Sequence, residues 1–287
     1  MNAEKLFSPD FFIAGFPKCG TTSLHDFLAK QVEVDMSSVK EPHYFAPDIE
    51  WYKEKRISKE SSYKELFKND HSVLRGESST WYLHSECAVS EIQRINPAAK
   101  YVVCIRKPSS AIKSLITHRI YSGRERHSSV AAVLNDAESR KFYFESYDYQ
   151  KILDRFLEKV ERENVYFVLF DDLISDCLRV ELGLVDFLGL CHPVGNNHIG
   201  RKNESKVGRP LVIQKLVSLV PLKVKMFFLR VFGEKFRSFF WRGAKKFSDG
   251  ETNKSMNIDD DVNRDLLKKD LLAKEYLASL GVNCDRW

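Results

Sequence analysis

Phe11-Phe12-Ile13-Ala14-Gly15-Phe16-Pro17-Lys18-Cys19-Gly20-Thr21-Thr22-Ser23-Leu24-His25-Asp26-Phe27-Leu28 passes from an apolar run, through a loop bounded by two glycines, into a segment with helical spacing. A glycine-bearing turn from strand to helix directs backbone N–H groups and a helix N-terminus at one point, which makes an anion site. Gly15 and Gly20 keep the spacing of the phosphate-binding pattern G-x-x-x-x-G-K-[ST]. Thr21, however, stands where that pattern has its lysine, and Lys18 lies inside the loop. In a nucleoside triphosphatase the lysine reaches the β- and γ-phosphates and the next hydroxyl holds Mg²⁺. With the lysine inside the loop and three hydroxyls opening the helix, the site suits a shorter, metal-free anion. The plainer alternative is a helix capped by Thr or Ser beside a surface lysine.

Outward from this loop, short apolar or β-branched runs recur at Val32–Met36, Val73–Glu77, Tyr101–Arg106 and Val165–Phe170. Helix-like segments lie between them, clearest at Tyr149–Arg162, where Ile152, Leu153, Phe156, Leu157 and Val160 share one face. Strands alternating with helices predict an α/β fold: three layers of P-loop-like type, a central parallel sheet flanked by helices. Past Gly200 the pattern changes. Leu211–Phe240 is apolar and basic, and Met256–Leu280 reads as a helix. The expected organisation is therefore one domain over residues 1–287, with a core at 8–200, a basic loop and helical lobe at 201–255, and a C-terminal helix at 256–287.

PKCGTTSL, Pro17 to Leu24, resembles the 5′-phosphosulfate-binding loop of sulfotransferases that use 3′-phosphoadenosine-5′-phosphosulfate (PAPS). That resemblance implies that Pro17, Lys18, Cys19, Gly20, Thr21, Thr22 and Ser23 bind PAPS and its product PAP, and that Lys18 also contacts the transferring group. Further on, Arg106 closes a strand and Ser114 follows eight residues later, in the next helix-like segment. A charged fork and a hydroxyl so placed can grip one phosphate. The segment is similar to the family's 3′-phosphate site, whereas an isolated Arg-x₇-Ser would be an ordinary surface pair.

Glu77 ends a predicted strand, where ligands of open parallel sheets gather, and a carboxylate there suits a general base. The competing role is a helix cap or a partner for Arg75. Resemblance to the glycosaminoglycan-type branch, through Gly76-Glu77-Ser78-Ser79-Thr80-Trp81-Tyr82, likewise implies Glu77 as base and Tyr82 in the acceptor cleft. Lys40-Glu41-Pro42-His43-Tyr44-Phe45 resembles a loop bordering that cleft, with Lys40 to neutralise charge and His43 as an alternative base. Their plain roles are a solvated lysine and a histidine satisfied in a turn. Gly200–Arg209 occupies the place of a basic loop over the nucleotide, to which Arg201 and Lys202 would contribute.

The expected function is thus sulfuryl transfer from PAPS to a hydroxyl or amine of a carbohydrate or glycolipid, without a metal. A P-loop kinase or NTPase would need the absent Walker lysine. The net charge is +5, but thirteen Lys or Arg against two Glu between Arg201 and Phe247 give that stretch +11. It reads as a lobe core with a basic face, as a guide for an anionic acceptor, or as a peripheral membrane contact through residues 211–247, the last being a non-catalytic alternative. No nucleic acid partner is expected. The six cysteines show no metal-ligand spacing. With neither a signal peptide nor a run of ~20 apolar residues, the expected location is cytoplasmic, with membrane association through the basic lobe.

Overall fold

A computed structural model describes residues 7–68, 73–191, 199 and 257–287. Arg201, Lys202 and the expected basic lobe lie outside the described residues. The chain divides into two compact units: Met1–Ala111 with Ser146–Lys202 and Lys269–Trp287, and Ile112–Glu145 with Asn203–Lys268.

The first unit holds a five-stranded sheet in the order β2-β3-β1-β4-β5, every neighbouring pair parallel. The strands are β1 (Phe11–Gly15), β2 (Val34–Met36), β3 (Leu74–Ser78), β4 (Lys100–Ile105) and β5 (Val165–Leu169). All five apolar runs thus become strands, with ends that shift by one or two residues. Val32 is excluded from β2 because it is almost fully solvent-exposed, which apolarity alone does not reveal.

β1 is central and wholly buried, with Phe11, Phe12 and Ile13 each at most 1% exposed. Burial of three such side chains stabilises the fold by roughly 1.5–3 kcal/mol apiece. Gly15, at φ 123°, ends the strand against β4. A Cβ there would come within 2.5 Å of the Cys104 carbonyl oxygen, so no other residue allows the two strands this approach.

Helices α1 (Thr21–Leu28), α2 (Glu60–Lys64), α3 (Ala88–Ile95), α7 (Tyr149–Leu157), α8 (Phe170–Ser175) and α9 (Cys177–Leu188) belong to the same unit. Helix α7 starts where its periodicity predicts, capped by the Asp148 carboxylate accepting from the Lys151 N–H, and stops earlier than expected, at Leu157. Helices α4 (Pro108–Tyr121) and α10 (Asp260–Ser279) contribute residues to both units. The second unit is described through the rest of α4, α5 (Val130–Asn135), α6 (Ala137–Ser146) up to Glu145, and the start of α10. Arg126 pairs there with Asp136 and Glu138, and the Asn135 amide donates to the Asn257 carbonyl and the Asp259 carboxylate.

Because β1, β3 and β4 are parallel neighbours, the loops leaving their carboxyl ends share one edge of the sheet. Lys18 and Arg106 follow β1 and β4 at that edge, where Glu77 and Ser78 end β3 ahead of Ser79–Tyr82, and ligands of open α/β sheets bind there.

Candidate active site

The loop after β1 alternates handedness. Lys18 at φ 65° and Gly20 at φ 96° are both left-handed, so successive N–H groups turn toward one side as an anion nest. Gly20 is the N-cap of α1 and supplies no side-chain cap, which leaves the first-turn N–H groups of Thr21 and Thr22 for a ligand. Side chains divide between two surroundings. Cys19 and Thr21 are buried, and Pro17 has no N–H to offer, while Lys18, Thr22 and Ser23 retain exposure. Cys19 therefore faces the core, where burial raises its thiol pKa well above the ordinary range, and only its backbone is placed for ligand contact.

Arg106 follows β4 and donates from Nη1 to the Lys18 carbonyl at 3.2 Å, with its guanidinium 4.1 Å over the Phe170 ring. The two segments are clamped by tyrosines that sequence reasoning did not single out. Tyr147 donates to the Pro17 carbonyl at 2.7 Å, and the Tyr149 hydroxyl donates to the Arg106 carbonyl. The Tyr-x-Tyr at the start of α7 was the available signal. Ser114 is a half-buried residue of α4 in the second unit.

Lys40 lies in the same electrostatic field. The Lys18 ammonium is held below its usual pKa by burial, then by Arg106 and by Lys40, with Glu41 opposing. Three cations thus converge beside an uncapped helix N-terminus, a composition that fits a ligand bearing phosphate-like groups. Among the described residues no cluster of His, Cys, Asp or Glu could hold a metal ion.

The two carboxylates of the site differ in access. The Glu41 side chain is 27% exposed, at φ 60°; its Oε1 accepts from the Lys40 ammonium at 2.9 Å and from the Thr80 hydroxyl at 3.2 Å. Burial pushes the Glu41 carboxyl up, but Lys40, His43 and Thr80 outweigh it and hold the group below the usual range, so it is ionised at neutral pH. Glu77 has no exposed surface, and its Oε2 accepts from both Tyr63 and Tyr82 at 2.7 Å. Burial raises it to about 7, against the pull of the Ser79, Tyr82 and Tyr63 hydroxyls. The alternative partner Arg75 lies instead beside Asp10, at 3.8 Å.

His43 is also fully buried. Its ring centroid is 4.2 Å from that of Tyr52, and burial drops its pKa to about 4, which keeps the imidazole neutral. Tyr82, expected in the acceptor cleft, is fully buried, with its hydroxyl on Glu77.

The sulfotransferase domain family model matches residues 8–199. The bifunctional heparan sulfate N-deacetylase/N-sulfotransferase 1 of Caenorhabditis briggsae is 26% identical over 217 residues, 66% of this chain; the chain spans only 24% of that relative's length. Human carbohydrate sulfotransferase 15 is 54% identical over 37 residues, 13% of this chain and 7% of the relative. Among solved structures, a sulfotransferase from Alicyclobacillus acidocaldarius superimposes with a TM-score of 0.60 at 25% identity, covering 74% of this chain and 91% of that one.

Proposed function

The chain belongs to the PAPS-dependent sulfotransferase family, and from that premise we propose that it sulfates a hydroxyl or amine of a glycan, with Glu41 rather than Glu77 as general base. The convergence of Lys18, Lys40 and Arg106 on the uncapped start of α1, with one accessible carboxylate in the same field, is the observation that carries this reading. The glycan acceptor is supported by the names of two relatives, a heparan sulfate N-sulfotransferase and a carbohydrate sulfotransferase.

PAPS supplies the sulfuryl group and the phosphate that leaves. The loop amides, Lys18 and Arg106 bind and orient its anionic groups, and they stabilise the negative charge that gathers on the leaving phosphate oxygen as the bond to sulfur breaks. Glu41 accepts the acceptor's proton as the acceptor oxygen or nitrogen bonds to sulfur. A base has to touch the proton it removes, and a partly exposed Glu41 meets that condition where a fully buried Glu77 does not. Lys40, bonded to Glu41, balances charge at the transferring group. His43, neutral and buried, is left as packing. Ser114, Arg201 and Lys202 remain proposed contacts to the nucleotide, the last two outside the described residues.

The test is transfer of labelled sulfate from PAPS to a panel of glycosaminoglycans, capsular glycans, glycolipids and phenols. Glycans are expected to lead the panel, and Glu41→Gln to lower kcat by about 10²–10⁴ without weakening PAP binding. Transfer confined to phenols would remove the glycan acceptor, and an active Glu41→Gln enzyme would remove the base.

A further inference from the structure

Glu77 is an acidic side chain buried at the carboxyl edge of the sheet with no exposed surface. Its neighbours show what it holds. The loop Lys40–Phe45 is fastened to the segment Ser78–Tyr82 through three alternate N–H groups: Glu41 donates to the Ser78 carbonyl at 2.8 Å, His43 to the Ser79 hydroxyl at 3.1 Å, and Phe45 to the Tyr82 hydroxyl at 3.3 Å. Two of those three acceptors are hydroxyls, which rotate and can donate or accept. Each has a single proton. Tyr82 gives its proton to Glu77 Oε2, so its oxygen presents a lone pair to the Phe45 N–H.

The loop needs that support. Glu41 and His43 sit at φ 60° and φ 51°, left-handed conformations that are unfavourable for residues with a side chain and persist only where the surroundings enforce them. Together with Lys18 they are the described non-glycine residues with positive φ, and all three lie at this site. Tyr63 adds a further arm: it donates to the same Glu77 oxygen while its ring stacks on Tyr44 of the loop, with centroids 4.2 Å apart and planes 7° from parallel.

We infer that Glu77 is a positioning residue: its carboxyl group orients the hydroxyl of Tyr82 so that it holds the 41–45 backbone in the strained form that presents Glu41 to the acceptor. The functional part of this inference rests on Glu41 as base; the hold on the loop does not.

Glu77→Gln retains an acceptor oxygen without the charge, Glu77→Met keeps the bulk without an acceptor, and Tyr82→Phe removes one arm. Turnover per PAP-binding site would be measured with the best acceptor of the panel, alongside amide hydrogen exchange at His43 and Phe45. Glu77→Gln is expected to lose only about 3–10-fold in kcat, since neutral hydrogen bonds are roughly half as strong as charge-assisted ones. Glu77→Met and Tyr82→Phe are expected to lose more, to bind PAP with unchanged affinity, and to exchange the Phe45 amide about tenfold faster or more. A glutamine variant as inactive as Glu41→Gln would overturn the inference and return Glu77 to the role of base. So would wild-type exchange at Phe45 in Tyr82→Phe, a variant that stays informative should Glu77→Met not fold. An active Glu41→Gln enzyme would strike only the proposed base, because exchange reads the hold on the loop whichever group takes the proton.

Discussion

At Glu77 one side chain links the chemistry of the site to the stability of the fold. Burial lifts its pKa to about 7, so between about pH 4.5 and 7 the folded chain keeps a proton that the unfolded chain has released. Its stabilising contribution is full below pH 4.5 and is lost as pH rises through 7. Glutamine has no such proton to lose. The melting temperature of Glu77→Gln relative to wild type should therefore climb between pH 5 and 8, and a flat difference would rule out the raised pKa. His43 and His84 act in the opposite sense: burial drops both to about 4, so their contribution is present above pH 6.5 and lost as pH falls through 4. Lys18 titrates in the site itself. Its lowered pKa predicts that PAP affinity falls at alkaline pH earlier than an ordinary lysine would cause, and Lys18→Arg should move that fall to higher pH.

Helix α4 shows how an element distant in sequence completes the start of another. Pro108 stands at its first position, where the missing N–H costs nothing, and the next N–H, that of Ser109, donates to Asp270 of α10 at 2.8 Å. The Ser109 hydroxyl donates to the other oxygen of the same carboxylate at 2.7 Å, and Lys107 lies 3.7 Å from it. Asp270 is nearly buried, so Asp270→Ala leaves the helix start without its acceptor. The expected cost is about 2 kcal/mol in chemical denaturation, with Asp270→Asn recovering part of it. A neutral alanine substitution would show that the cap contributes nothing. Arg106 lies two residues before α4, so a weaker secondary effect on PAP affinity is expected as well.

For the molecule as a whole, ligand linkage discriminates the nucleotide read from the first loop. PAP at a hundred times its Kd should add about 2.7 kcal/mol, a rise of several degrees in Tm, and Mg-ATP at the same concentration should add far less. An equal shift with Mg-ATP would favour a nucleoside triphosphate site. Chelation of divalent ions should leave the PAP shift unchanged. The strand-loop-helix at Phe11–Leu28 and the succession of five apolar runs were enough to determine the sheet, because a parallel strand buried on both faces is written in consecutive apolar residues. Which carboxylate meets solvent was not written there. Glu41 and Glu77 are equally acidic letters beside equally aromatic neighbours. Only the folded arrangement buries one under Tyr63 and Tyr82 and leaves the other at the surface beside Lys40, since burial and the direction of a hydroxyl proton depend on contacts between residues dozens of positions apart.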